Sequence, residues 1–133
     1  MASITFDSTI PVLRIFSVDK ARECYCDYLG FKVDWEHRFE ADLPLYMQVS
    51  RDGLILHLSE HHGDATPGSR TFVHIRGLEM FHREISGRDY RFLRPGIDDA
   101  PWGGHVMELT DPFGNRLTFA EAAEPENEDE PSL

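Results

Sequence analysis

His57 lies within the apolar run Leu54-Ile55-Leu56-His57-Leu58. An imidazole there could be a hydrogen-bonded structural group, a ligand contact or one arm of a metal site. Strand alternation puts it on one face with Ile55 and Ser59, opposite Leu54, Leu56 and Leu58. The leucines are expected to pack under a helix, which leaves His57 on the other face. Glu60-His61-His62-Gly63-Asp64 is the densest run of potential metal donors. It matches no helical zinc motif, and a solvated loop between the modules is the favoured account of it. The remaining candidates are flat or amide side chains. Trp35 and Phe39 flank the end of the second strand, Tyr46 and Gln48 share a face of the third, and Trp102 opens the seventh. Such rings stack on heteroaromatic ligands and hold cations, although strands of any domain carry them. His105 and Glu108 fall on opposite faces of the seventh strand, and His105 is taken as the one near a groove.

Other chemistry is thinly represented. Ser59 and Ser86 lack the glycines of a nucleophile elbow. Gly103-Gly104 is a bend after Trp102, with no phosphate-loop pattern. Cys24 and Cys26 sit two apart on a predicted helix, point to different sides and read as core filling.

The elements that position these residues come in a repeated order. Ile10–Phe16 reads as a buried strand and Ser17 as a helix N-cap. Val18, Ala21, Cys24, Tyr25, Tyr28 and Leu29 follow helical spacing up to Gly30. Strands follow at Phe31–Arg38, Pro44–Arg51 and Leu54–Ser59, with Arg51-Asp52-Gly53 as a hairpin signal. After the polar loop Glu60–Arg70 the order restarts. It comprises a strand at Thr71–Arg76, a helix at Leu78–Ser86, and strands at Asp89–Arg94, Trp102–Leu109 and Asn115–Ala120. Asp111-Pro112-Phe113-Gly114 turns between the last two. Two β-α-β-β-β units offset by about 60 residues make an internal repeat in which His57 corresponds to Thr118.

The 133 residues suit one domain, residues 1–121, with modules at about 8–60 and 70–121. Nine Phe, four Tyr and two Trp supply a core. The formal net charge is −11, and residues 1–120 carry −5 of it because six acids lie in Glu121–Leu133. That balance argues against nucleic acid and favours cationic or neutral ligands. Residues 122–133 read as a disordered acidic tail. No apolar run approaches a membrane span, and no signal peptide is evident. A reduced, cytoplasmic protein is expected.

The repeat order, with Pro11-Val12-Leu13, Tyr25 followed by Asp27-Tyr28-Leu29-Gly30-Phe31, Pro101-Trp102-Gly103 and Asp111-Pro112-Phe113-Gly114-Asn115, resembles the vicinal-oxygen-chelate (glyoxalase) superfamily. Within it the strings look most like the bleomycin resistance branch, over about residues 8–121. The resemblance implies an α+β fold whose two βαβββ modules form cup-shaped mixed sheets. It implies a homodimer with grooves at the subunit interface and an N-terminal arm, Met1–Thr9, that often crosses to the partner. Metal-dependent relatives place ligands at four inward strand positions. Here those fall on Ile10, His57, Thr71–Val73 (with His74 one step off) and Thr118. Only His57 is a competent ligand, so neither a cofactor nor a metal is expected; His61 and His62 are the only auxiliary candidates. The function implied is binding, without turnover, of a planar cationic glycopeptide antibiotic of bleomycin type. Trp102 matches the position where relatives present an aromatic face to the drug. The competing reading is a metal-dependent glyoxalase- or dioxygenase-type enzyme built on His57.

Overall fold

The computed structural model describes residues 2–123. It divides into two compact units, Met1–Gly68 with Pro112–Asn115, and Ser69–Asp111 with the chain from Arg116 onward. Each contains a four-stranded mixed sheet, so the α+β expectation and the doubled β-α-β-β-β order both stand.

In the first unit β1 (Val12–Arg14) leads to a helix, then to β2 (Lys32–His37), β3 (Tyr46–Arg51) and β4 (Leu54–Ser59). The sheet order is β1-β4-β3-β2, with β1 parallel to β4 and the other pairs antiparallel. Only three residues of the expected first strand are strand. The parallel ladder nevertheless continues at both ends, from His57 N–H to the Pro11 carbonyl (3.0 Å) and from Ile15 N–H to the Ser59 carbonyl (2.9 Å).

Ser17 caps the helix as expected, its hydroxyl accepting from Lys20 N–H. The helix opens as α1 (Val18–Ala21) and widens to π-type hydrogen bonding over Arg22–Tyr28. Its closure is widened too: Phe31 N–H reaches back to the Tyr25 carbonyl past Gly30, whose φ is 83°. Ala21, Cys24, Tyr25, Tyr28 and Leu29 of the helix are buried, as are Leu13, Met47, Val49, Leu56 and Leu58 of the sheet. No disulfide joins the cysteines, and burial together with Asp27 pushes the Cys26 thiol pKa up, away from an activated nucleophile. Asn115, closing the Asp-Pro-Phe-Gly-Asn turn, is buried and donates to the Arg14 carbonyl at 2.8 Å, tying that turn to β1.

The second unit has β5 (Arg70–His74), α2 (Leu78–Ser86), β6 (Ile97–Asp99), β7 (His105–Thr110) and β8 (Arg116–Glu121), in the order β5-β8-β7-β6. Leu78, Phe81 and Ile85 of α2 bury against Met107, Leu109, Leu117 and Phe119. Gly77 has no capping side chain. Instead the Glu121 carboxylate, at the end of β8, accepts from Gly77 and Leu78 N–H at 3.0 and 3.1 Å. Those two bonds hold its pKa below the usual carboxylate value.

Two sequence expectations need correction here. Asp89–Arg94 is not a strand; β6 starts at Ile97, after Pro95-Gly96. Tyr90 N–H turns back to the Arg88 carbonyl, and Phe92 is 57% exposed, packing on Tyr90 and under Arg91. Proline lacks the ladder donor, so pairing begins beyond it. The seventh strand begins at His105, not Trp102. Pro101-Trp102 occupy the centre of a turn closed by Gly103 N–H to the Ala100 carbonyl, and Ala100 N–H bonds the Gly104 carbonyl. The tail reading falls largely on residues 124–133, outside the described residues. Among the described residues no helix is long and apolar enough to cross a membrane.

The second glycine of that turn has no room for a side chain. Gly104 has φ 85°, and a Cβ would stand 2.2 Å from the Glu121 carbonyl oxygen and 2.8 Å from Ala123 N. Gly104→Ala is expected to destabilise the protein by about 2 kcal/mol or more, read by chemical or thermal unfolding. Gly96→Ala, with nothing within 4 Å of its Cβ, is expected to be nearly silent.

Candidate functional site

A β-bulge decides which side chains share the open face of the first sheet. Val33 pairs with Val49, but Trp35 rather than Asp34 pairs with Gln48. Strict alternation from Val33 would send Trp35 to the core side, opposite Met47. The extra residue instead leaves Asp34 beside Gln48 and brings Trp35 to the same place. Beyond the bulge His37 pairs with Tyr46, and Glu36 turns to the helix side, where it forms an ion pair with Arg22. His57 stands next to both Gln48 and Val12 in the ladder.

These residues form one hydrogen-bond chain. Tyr46 Oη lies 2.8 Å from His57 Nδ1, His57 Nε2 lies 2.9 Å from Gln48 Oε1, and Gln48 Nε2 donates to Asp34 Oδ2 at 3.0 Å. Hydrogen bonds from Gln48 and Ser50 hold the Asp34 pKa below the usual carboxylate value, so Asp34 is ionised and only accepts. The Gln48 amide must therefore face it, which turns Oε1 toward His57. His57 Nε2 then carries the proton, and Nδ1 accepts from the Tyr46 hydroxyl. Burial lowers the His57 pKa, favouring this neutral ring, and raises that of Tyr46.

Around the chain lies a set of rings. Trp35 and Tyr46 are parallel within 10° at 6.0 Å, and His57 stands nearly perpendicular to both, at 5.3 and 5.1 Å. Trp35 is 43% exposed. His61 meets Tyr46 at 6.4 Å and Phe39 at 6.3 Å, while Phe39 also packs edge-on to His37. The segment after β4 is not a loose loop. Ser59 Oγ accepts from His61 N–H and donates to Asp64 Oδ2, Arg14 binds the His61 carbonyl, and Glu60 accepts from Leu45 N–H. Sequence reading missed Asp34 as a member and Ser59 as the loop's organiser. Nothing in the apolar pattern marks the first, because Asp34 reaches Gln48 at a register shift between Val33 and Trp35.

Trp102 and His105 belong to the second unit. Trp102 is 65% exposed and lies 6.2 Å from Phe72, which also contacts His74 at 5.3 Å. Register places Glu108, not His105, next to Thr118: Thr118 Oγ1 donates to Glu108 Oε2 at 2.8 Å, and Arg70 lies 3.7 Å from the same oxygen. His105 pairs with Glu121 on the helix-bearing side and contacts Asp99 at 3.2 Å.

The four strand positions that hold metal in relatives can now be read from the ladders. Val12, not Ile10, stands beside His57, and Phe72 stands beside Thr118. Ile10 precedes β1. Val12 and Phe72 offer no donor atom, and both His57 ring nitrogens are already engaged. His62 is exposed and away from the ring contacts. Among the described residues no group of three or more His, Cys, Asp or Glu could hold a metal ion. This donor set does not fit a divalent metal.

A neutral His57 has a pH consequence. Its folded pKa is lowered, so the unfolded chain binds the extra proton first as pH falls. Its contribution to stability is present above the ordinary histidine value and is lost as pH falls toward the folded value. The thermal midpoint is expected to fall between about pH 7 and 5 more steeply in the native protein than in His57→Gln. Equal slopes would contradict a His57 pKa lowered by burial.

The sequence matches the family described as glyoxalase superfamily protein over residues 1–126. Among curated proteins none matches it. Among solved structures it is similar to a bleomycin-binding protein complexed with bleomycin, at 22% identity and a TM-score of 0.64, covering 87% of this chain and 98% of that one. It is similar to an antibiotic-binding protein from Streptomyces sp. CB03234 at 19% identity and a TM-score of 0.64, covering 90% of this chain and 100% of that one. A glyoxalase-related enzyme from Clostridium phytofermentans gives 18% identity and a TM-score of 0.69, covering 92% and 99%. At these identities the structural likeness establishes the fold, and the family match covers nearly the whole sequence: the chain belongs to the glyoxalase superfamily.

Proposed function

We propose that this protein binds a planar, cationic small molecule of the bleomycin class and withholds it without chemical turnover, acting as a cytoplasmic homodimer with grooves at the subunit interface. The observation that carries this reading is the ring set of the first sheet. Partly exposed Trp35 and Tyr46 lie parallel against a His57 whose two nitrogens are both committed to neighbours. Such a surface stacks on flat heteroaromatic groups and is poorly equipped for metal chemistry. The exposed Trp102–Phe72 pair of the second unit offers a further aromatic face. Asp34, Glu60, Asp64 and the acidic balance of the chain favour a positively charged ligand. The resemblance of the Pro-Trp-Gly and Asp-Pro-Phe-Gly-Asn strings to bleomycin resistance proteins, and the fold shared with a bleomycin-binding protein, support the same class. A metal-dependent reaction of glyoxalase or dioxygenase type finds no support in the donor set at Val12, His57, Phe72 and Thr118.

The two tryptophans make the test direct, since each single variant leaves one reporter. Metal-free and copper-bound bleomycin are expected to quench tryptophan fluorescence saturably. Trp35→Phe and Trp102→Phe are each expected to weaken binding by about tenfold, and added salt should weaken it further. A flat titration with both forms would overturn the bleomycin assignment.

A further inference from the structure

Resting on the binding role above, we propose that Tyr46 selects the ligand's hydrogen-bond polarity: its oxygen is an obligate acceptor, so the group seated against Trp35 and Tyr46 is a planar ring bearing an N–H donor. A tyrosine hydroxyl ordinarily serves as donor or acceptor by rotating its single hydrogen. Here that hydrogen is committed to His57 Nδ1, because His57 Nε2–H is committed to Gln48 and Gln48 is oriented by Asp34. The polarity at the Tyr46 end of the chain is thus set three side chains away, by a carboxylate that can only accept.

Among the described residues no donor group takes up the remaining lone pairs of Tyr46 Oη. The parallel Trp35 ring beside it is exposed enough to be covered by a flat group. A ligand N–H docked there completes the chain from outside. A ligand that offers only an acceptor faces another acceptor, and its desolvated lone pair goes unmatched; sites built on such pairing discriminate strongly. Asp34 and Gln48 touch no ligand in this scheme and are positioning residues.

Indole and quinoline test this, being neutral bicycles of similar size at about pH 8 that differ in donor against acceptor nitrogen. Their binding can be followed by shifts of the Gln48 side-chain amide in NMR titrations. Indole is expected to bind about tenfold more tightly than quinoline. In Tyr46→Phe the preference should vanish with the ring retained. In Asp34→Asn, where Gln48 is released to turn over, the ratio should fall toward one. Equal or tighter binding of quinoline by the native protein, or no indole binding up to its solubility, would overturn the proposal. So would an indole preference that survives both substitutions. Because neither probe is bleomycin, failure of this selectivity is distinguishable from failure of bleomycin to bind.

Discussion

An ionised carboxylate can accept hydrogen bonds but never donate them, and Asp34 imposes that one-sidedness on the open face of the first sheet. Gln48 presents its amide to Asp34, His57 takes the Nε2–H tautomer, and Tyr46 gives its hydrogen inward. Each step follows from the one before, with no freedom left at the imidazole. The arrangement exists because β2 carries one extra residue at the bulge, which lets Asp34 and Trp35 both address Gln48. An ordinary strand would have supplied one or the other.

The two units show how little of this chemistry the repeat itself dictates. His57 and Thr118 occupy matching places, each between a parallel partner and an antiparallel one: Val12 and Gln48 in the first sheet, Phe72 and Glu108 in the second. The backbone frame is the same. In one case it carries a neutral relay surrounded by rings, and in the other a hydroxyl held on a carboxylate beside Arg70. Where superfamily relatives gather metal donors, this chain has valine, an occupied histidine, phenylalanine and threonine. Stacking surface and fixed hydrogen-bond polarity are what these positions provide.

Much of the fold was legible in the sequence for identifiable reasons. The buried faces of the helices follow apolar spacing, and β4 reads as alternating leucines with His57 turned away from them. Gly30 and Gly87 mark helix ends, and the Asp52-Gly53 hairpin announces itself. Asp89–Arg94 misled because Tyr90 and Phe92 alternate as a strand would, yet those rings pack on each other at the surface. Trp102 misled because a proline turn and a strand start are adjacent in the chain. At the site, the aromatic residues and His57 were visible as types, and Tyr46 and Gln48 as neighbours on one face. Asp34 was not, because a bulge leaves no mark in the apolar pattern. Nor was the choice of Glu108 over His105, which depends on knowing which residue of β7 meets Thr118.

The central claim is that His57, kept neutral by burial, has its proton fixed on Nε2 by Asp34 acting through Gln48. Long-range nitrogen–proton NMR correlations of the imidazole, recorded on the full chain near neutral pH, test it most directly. The account predicts a neutral ring with protonated Nε2 and an Nδ1 that accepts a hydrogen bond, and a tautomeric mixture once Asp34 is replaced by Asn. A proton on Nδ1 in the native protein, or an imidazolium at that pH, would contradict it.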